Sequence, residues 1–452
     1  MKQLILISTL ISSLWTAAGA IDPDTAFNNQ FRREIGGWIA ADATYSILLP
    51  DGRTLWLFGD TFIGEVDENN AIVSGSRFIR NSAVIQDGEQ LQTLFSGTRE
   101  DPGDFIYTQH PDSTWYWPEH GEVENDTLRI FLAKYRTDPD GSAGFQFEYV
   151  GNDIASFTYP ALQFVHTEPV AASVRNGVIY GDRVLRDTSY CYIYGRRNDD
   201  PGFNIVYPHV ARAPLGALME QEWEFFTGSG WSTDPESTVR MNESPVSQQY
   251  SVSTYRGKYI LLTQDIWLSP RIWSYTSESP VGPWENRKLV YTTPENPEEV
   301  FTYNAYVHPQ FNRDREMLVS YNVNGDFWSI FSNVELYRPR FIRVPYMNLD
   351  YAFWPNGLPS RYASGRLSAR LFPNPVEGTA FLEVHTEEAG PLQVEIVDMC
   401  GRTVMRLPDP LIPQGDQTVM LQLGTLGAGT YICRIRMNRE VIHLPMIKSI
   451  RQ

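Results

Sequence analysis

Two aspartates eighteen positions apart, Asp42 and Asp60, bracket a stretch whose residue types suit carbohydrate chemistry. Residues 40–62 (AADATYSILLPDGRTLWLFGDTF) read as two apolar strands around a Pro50-Asp51-Gly52-Arg53 turn. One carboxylate enters this hairpin and the other leaves it. The ends of an antiparallel hairpin meet, so both are expected on one rim of one sheet. Two carboxylates on a rim are the minimum equipment for glycoside hydrolysis, one protonating the leaving oxygen while the other activates water. Each is also an ordinary turn residue, so the surrounding elements must decide.

Those elements are strands. After residue 20, short alternating runs rich in Val, Ile, Tyr, Phe and Trp are cut every 8 to 12 residues by Gly, Pro, Asn or Asp, the pattern of an all-β chain. The opening hairpin has four weaker echoes, at residues 119–135, 181–197, 249–265 and 308–322. Between them, residues 82–86, 171–174 and 272–275 read as outer strands. Five similar β units spaced by roughly 60 to 80 residues predict a five-bladed β-propeller over residues 21–345. The first strand of each blade would line the axis and bring its polar start to one mouth. Asp42, Glu119 with His120, Asp182, Gln249 (or Gln248), and Asn304 with Tyr306 and His308 would meet there. Buried charge is costly unless paired or used, so this ring reads as a site.

Asp42 and Asp60 are the leading catalytic pair, with Glu119 or Asp182 as substitute acids. Arg80 and Asn81 supply donors for sugar hydroxyls. Trp38 and Trp117 are candidate stacking faces, with Trp115, Trp231 and Trp267 also flanking polar positions; several of these rings are expected to be core anchors between blades.

The remaining composition narrows the function. The 452 residues are 42% hydrophobic and 13% aromatic, with 12 Trp and 24 Tyr, as in a globular β protein. A net charge of −17 sets nucleic acid aside as a partner, whereas a neutral polysaccharide is indifferent to it. No metal-ligand spacing, Walker loop, dinucleotide fingerprint or Gly-x-Ser-x-Gly elbow occurs, so no metal site and no cofactor are expected. A structural calcium is compatible with an acidic exported chain, but no loop has the spacing for it.

Residues 1–20 (MKQLILISTLISSLWTAAGA) have the basic start, short apolar core and small-residue cleavage site of a signal peptide, with no transmembrane segment left after its removal. Of three cysteines, Cys400 and Cys433 could pair and leave Cys191 free. Residues 346–368 lose strand alternation and read as a linker. Residues 369–452 give about seven short strands, as a small β-sandwich would.

Two resemblances follow from these residues. The last segment resembles the type A C-terminal sorting domain of the type IX secretion system of Bacteroidota. Phe372-Pro373-Asn374-Pro375 matches its opening element, residues 394–402 (VEIVDMCGR) its central strand and turn, and residues 426–431 (LGAGTY) its late Gly-Tyr element. Lys448-Ser449-Ile450 stands at its terminal basic motif. That likeness implies handling by the type IX machinery and release or attachment at the outer surface. It says nothing about catalysis.

Roughly residues 30 to 335 resemble a group of secreted bacterial five-bladed propellers, long listed as domains of unknown function, one branch of which consists of endo-D-arabinanases. Gly37-Trp38, Ala41-Asp42, residues 49–62 (LPDGRTLWLFGDTF), Arg80-Asn81-Ser82, residues 279–284 (SPVGPW) and residues 303–309 (YNAYVHP) carry the likeness. It implies a secreted or surface-attached glycoside hydrolase acting on a polysaccharide such as arabinan, with Asp42 in the position of the general base. The alternative is a non-catalytic propeller that binds glycans or another surface protein.

Overall fold

The computed structural model describes residues 21–33, 37–110, 113–141, 146–200, 205–266, 268–350, 362–364, 366–372, 374–376, 378–399, 401–408 and 410–449. The expected signal peptide, Trp267 and Cys400 lie outside these residues. The described chain is all-β and divides into two compact units at Leu349 and Asp350.

The first unit opens with β1 (Asp22–Pro23), helix α1 (Thr25–Gln30) and β2 (Gly37–Ala41). A hairpin of β3 (Tyr45–Leu48) and β4 (Thr54–Phe58) follows. Next, β5 (Thr61–Gly64) and β6 (Arg77–Ile79) join β2 in a separate three-stranded sheet. β7 (Ser82–Asp87) and β8 (Gln90–Leu94) then complete the first main sheet in the order β3-β4-β7-β8. The two-residue strands β9 (Ser96–Gly97) and β10 (Pro102–Gly103) pair with each other.

Four more antiparallel sheets follow in chain order. The second is β11 (Thr114–Glu124), β12 (Thr127–Thr137), β13 (Phe147–Thr158) and β14 (Phe164–Pro169). After helix α2 (Ala171–Asn176) comes the third: β15 (Ile179–Arg186), β16 (Tyr190–Asp200), β17 (Ile205–Pro214), β18 (Glu224–Phe226) and β19 (Trp231–Ser232). The fourth is β20 (Tyr250–Tyr255), β21 (Lys258–Gln264), β22 (Arg271–Ser277) and β23 (Glu285–Thr292). The fifth contains β24 (Val300–Val307), β25 (Glu316–Gly325) and, beyond helix α3 (Phe327–Ser332), β26 (Arg340–Pro345), with β1 as its outermost strand.

The first strand of each sheet packs against the first strand of the next, from β3 through β11, β15 and β20 to β24. The circuit returns to β3 where the Tyr306 ring meets Tyr45 edge-on at 4.8 Å and His308 bonds Ser46 at 2.6 Å. The first two strands of these sheets are largely buried and carry apolar residues, Ile47 and Val252 on first strands and Leu55, Leu57, Ile130, Leu132 and Leu261 on second strands.

The second unit holds β27 (Tyr362–Ser364), β28 (Leu367–Phe372), β29 (Thr379–Thr386), β30 (Gly390–Asp398), β31 (Thr403–Arg406), β32 (Leu411–Ile412), β33 (Gly415–Gln422), β34 (Gly429–Met437) and β35 (Glu440–Lys448). They form two sheets, β27-β28-β29-β33 and β31-β30-β34-β35, over one aliphatic core that includes Leu382, Val394, Ile435 and the Cys433 thiol. β27 falls inside the stretch expected as linker. No helix among the described residues is long and apolar enough to cross a membrane.

Three local expectations change. Residues 40–62 do not make one ladder: backbone at Ala43 (φ 53°) turns the chain, so the flanks pair in the β2-β5 sheet and only the middle forms the β3-β4 hairpin. Residues 171–174, read as a strand, belong to α2, a short helix opened by two alanines and closed by Gly177 at φ 72°. The fifth hairpin begins at Val300, so His308 ends its first strand, where Pro309 starts a 3-10 turn.

Candidate active site

The turn between the two ladders sets the site. Asp42 leaves β2 and Asp60 precedes β5. Their backbones stay paired, Asp42 N–H donating to the Asp60 carbonyl (3.3 Å) and Gly59 N–H to the Asp42 carbonyl (3.0 Å). Both side chains therefore sit on one rim, partly open to solvent. Glycine at 59 is required by this approach, since a Cβ there would lie 2.7 Å from Asp42 Oδ1 and 3.4 Å from Trp117 Cδ1.

The partners of the two carboxylates differ. Tyr303 donates its hydroxyl to Asp42 Oδ2 at 2.8 Å, and the Tyr337 hydroxyl lies beside it. No cation touches Asp42 among the described residues. Asp60 accepts from Trp117 Nε1 at 3.0 Å and from Arg80 Nη1 at 3.3 Å. Arg80 in turn lies over the Trp115 ring at 4.3 Å, and its backbone N–H donates to Asp104 at 2.7 Å. Loss of hydration, reinforced by the charge of Asp60, raises the Asp42 carboxyl to about 7. Loss of hydration also raises Asp60, to about 6, against the opposing pull of Arg80 and Trp117. Two neighbouring carboxyls with such values share one proton near neutral pH.

Aromatic walls flank the pair. On one side Trp117 meets Tyr135 at 4.4 Å and Phe147 at 4.8 Å; on the other Phe301 packs on Tyr303 at 5.4 Å. All five rings are partly exposed. The result is a rim that holds one transferable proton between apolar faces.

Glu119 and Asp182 are brought together elsewhere. Arg196 clamps them, with Nη2 2.8 Å from Glu119 Oε1 and Nη1 2.7 Å from Asp182 Oδ1. All three side chains are at most 4% exposed, so neither carboxylate offers an atom to a ligand at the mouth. Burial raises both carboxyls, and Arg196 opposes it. The network touches the rim through Tyr135, whose hydroxyl lies by Arg196 and whose ring packs on Trp117.

The other sequence candidates serve the frame. Trp38 is fully buried among Phe31 and Phe58 and presents no face to a ligand. Asn81, also fully buried, bonds Ile106 N–H and the carbonyls of Ile106 and Tyr116. His120 lies between the Ser46 carbonyl and Arg183, and His308 between Ser46 and Ser320; burial holds both imidazoles well below the usual range, hence neutral. Tyr306 donates to the Asp182 carbonyl. Gln249 is 1% exposed, and neither amide atom has a partner among the described residues. Asn304 adopts φ 56°, a conformation Asn tolerates, and turns β24 so that its neighbour Tyr303 reaches Asp42. Tyr303, Tyr337 and Asp104 were missed by sequence reasoning. Tyr303 had a signal, standing inside the same YNAYVHP run. No group of three or more potential metal ligands occurs among the described residues.

Fold and rim together define an all-β protein with a partly solvent-open carboxylate pair where the β2-β5 sheet meets the first main hairpin. The chain belongs to the family described as domain of unknown function (DUF5005), whose model matches residues 24–354. Residues 370–448 match the secretion system C-terminal sorting domain, which directs type IX secretion to the cell surface or the extracellular space. Among solved structures, a candidate hydrolase from Bacteroides ovatus shares 22% identity, with 75% of this chain and 92% of that one covered at a TM-score of 0.61. The GH43_1 enzyme from Xanthomonas citri, complexed with xylose, shares 15% identity over 73% of this chain and 91% of that one, with a TM-score of 0.39. An α-L-arabinofuranosidase from Podospora anserina, in complex with cellotriose, shares 13% over 69% and 92%, with a TM-score of 0.35. No curated protein matches the chain.

Proposed function

We propose that the first unit is a five-bladed β-propeller acting as an extracellular glycoside hydrolase, and that the second is a small β-sandwich that serves export. The five successive sheets with first strands in a circuit support the propeller reading. One observation carries the hydrolase reading: Asp42 and Asp60 share a rim between aromatic faces, with carboxyls raised to about 7 and about 6. Such a pair keeps a donor and an acceptor available together near neutral pH.

The neighbours order the roles. Arg80 and Trp117 favour negative charge on Asp60, whereas Asp42 accepts from two tyrosine hydroxyls and the Asp60 backbone N–H and meets no cation among the described residues, so the shared proton resides on Asp42. Asp42 then gives its proton to the glycosidic oxygen as the bond to the anomeric carbon breaks. Asp60 takes a proton from the water that adds there, or attacks first, and the anomer of the product reports which. This order is opposite to the base position that family likeness implies for Asp42. A furanoside polymer such as arabinan is the substrate class that likeness favours.

The test is to incubate the mature protein with arabinans, xylans and bacterial wall glycans, and with nitrophenyl glycosides of the same sugars. Asp60→Asn should lose about 10²- to 10⁴-fold on every substrate. Asp42→Asn should lose as much on polymers but little on nitrophenyl glycosides, whose leaving group needs no proton. Undiminished hydrolysis of a polymer by Asp42→Asn would sink the assignment. Binding without released sugar from any substrate would instead make the propeller a lectin.

A further inference from the structure

Helix α3 exposes three aromatic side chains that the fold leaves open. Trp328 is 79% exposed, Phe327 53% and Phe331 36%. Large apolar side chains left in water are weak support for folding, and a contiguous group of them marks an interaction surface. The helix is nevertheless held firmly. Asp326 caps it by accepting from Trp328 N–H and Ser329 N–H, each at 3.1 Å. Its far end is stapled to the 65–76 loop, with Ile72 N–H on the Phe331 carbonyl (2.9 Å) and Val334 N–H on the Asn70 carbonyl (2.8 Å).

The group is continuous with the carboxylate rim. Phe331 meets the buried Phe62 ring at 5.4 Å, and Phe62 meets Phe78 at 5.2 Å. Phe78, 42% exposed, lies under the Arg80 guanidinium at 5.5 Å, and Arg80 pairs with Asp60. On the inner side Phe62 also packs edge-on against Tyr337, whose hydroxyl lies beside Asp42. One aromatic ledge thus runs from Asp42 and Asp60 out to Trp328, with Phe62 as its buried keel.

We propose that this ledge is a distal subsite that stacks sugar residues of a neutral polysaccharide, so the substrate is a polymer rather than a short glycoside. The inference rests on the hydrolase reading of the Asp42–Asp60 rim. The ring faces supply apolar contact for the C–H faces of a sugar. The continuity with the rim fixes the occupant as the part of the chain that extends beyond the cleaved bond.

Trp328→Ala tests it, since a side chain this exposed can be removed without disturbing the core. With linear arabinan and xylan as polymers and their nitrophenyl glycosides as short substrates, kcat/KM on the polymer should fall about fivefold, the scale of one aromatic stacking contact. The nitrophenyl rate should stay unchanged. Equal loss on both, or no loss on either, overturns the ledge. Affinity electrophoresis in gels containing the same polymers separates this from the hydrolase reading. If nothing is hydrolysed but polymer retards the parent and not Trp328→Ala, the ledge stands and the hydrolase falls. The absence of both retardation and polymer cleavage overturns it. So does a dimer, seen by sedimentation, that Trp328→Ala dissociates while polymer handling is unaltered; that result assigns the ledge to a second copy.

Discussion

Asp42 is held in a form that folding disfavours when ionised. Its carboxyl lies at about 7 in the folded chain against a usual 3.8, because burial and Asp60 penalise the charge. Below about pH 4 the group is protonated in both folded and unfolded chains and carries no penalty. As pH rises to about 7 the unfolded chain ionises while the folded one holds its proton, so stability falls across that window and then levels off. Asparagine cannot ionise. Asp42→Asn should therefore melt above the parent at pH 8, by about 1–2 kcal/mol once partial solvent contact is discounted, with the gain gone at pH 4. Calorimetry at both pH values checks this, and a variant less stable than the parent at pH 8 contradicts it. A residue that weakens the fold where the reaction needs it is the signature of a site. The pairing of Asp42 with Asp60 was legible in the sequence because a hairpin must bring its ends together. Arg80 and Trp117 were legible as residues of the same mouth, but the pairing of Asp42 with Tyr303 and Tyr337 was not, since these come from separate elements far along the chain.

At the scale of the strand, polar residues of three inner strands stand at bulges rather than at strand starts, whereas Gln249 directly precedes β20 as expected. The pairing of β11 with β12 skips from Pro118 to Gly121, that of β15 with β16 from Tyr180 to Arg183, and that of β24 with β25 from Tyr303 to Tyr306. The extra residues are Glu119 and His120, Gly181 and Asp182, and Asn304 and Ala305. A bulge inserts a residue and re-aims the side chains beside it, which is how charged groups point inward from strands that are otherwise apolar. Sequence alternation locates these residues because the bulge breaks the alternation; it places them at strand ends because a broken pattern reads as a boundary. Gly181 shows what the bulge demands. Its φ is +124°, and a Cβ would lie 2.3 Å from Phe131 Cβ and 3.1 Å from Glu119 Cβ. Gly181→Ala should cost roughly 2–4 kcal/mol through backbone strain and overpacking between the second and third sheets. A denaturant melt showing a loss under 0.5 kcal/mol would remove the bulge from its structural role.

Over the whole first unit, the segment that precedes the five sheets joins the fifth to the first. β1 adds to β26 of the fifth sheet, with Asp22 opposite Arg343, and Asp24 bonds Arg343 Nε at 2.5 Å. One turn of α1 further on, Phe31 inserts between sheets. It lies 5.1 Å from Phe341 of the fifth sheet and 5.0 and 6.2 Å from Trp56 and Phe58 of the first, with Trp38 at 5.6 Å. A short polar run around Asp24 gives no hint of this, because the contacts that order it are more than 300 residues away. If the closure holds the ring together, loss of Phe31 must loosen every sheet and not only its neighbours. Phe31→Ala should cost about 3–5 kcal/mol, the usual range for a buried Phe. Cys191 reports on the distant part: its thiol is 2% exposed in the third sheet. Peptide-resolved thiol labelling under native conditions should find Cys191 reacting faster in Phe31→Ala by the factor that the loss in unfolding free energy dictates, since labelling then proceeds through global opening. An unchanged Cys191 rate beside a lowered melting point would mean that the first and fifth sheets part locally, and the closure would be a latch on two sheets instead of the bond that makes the five cooperate.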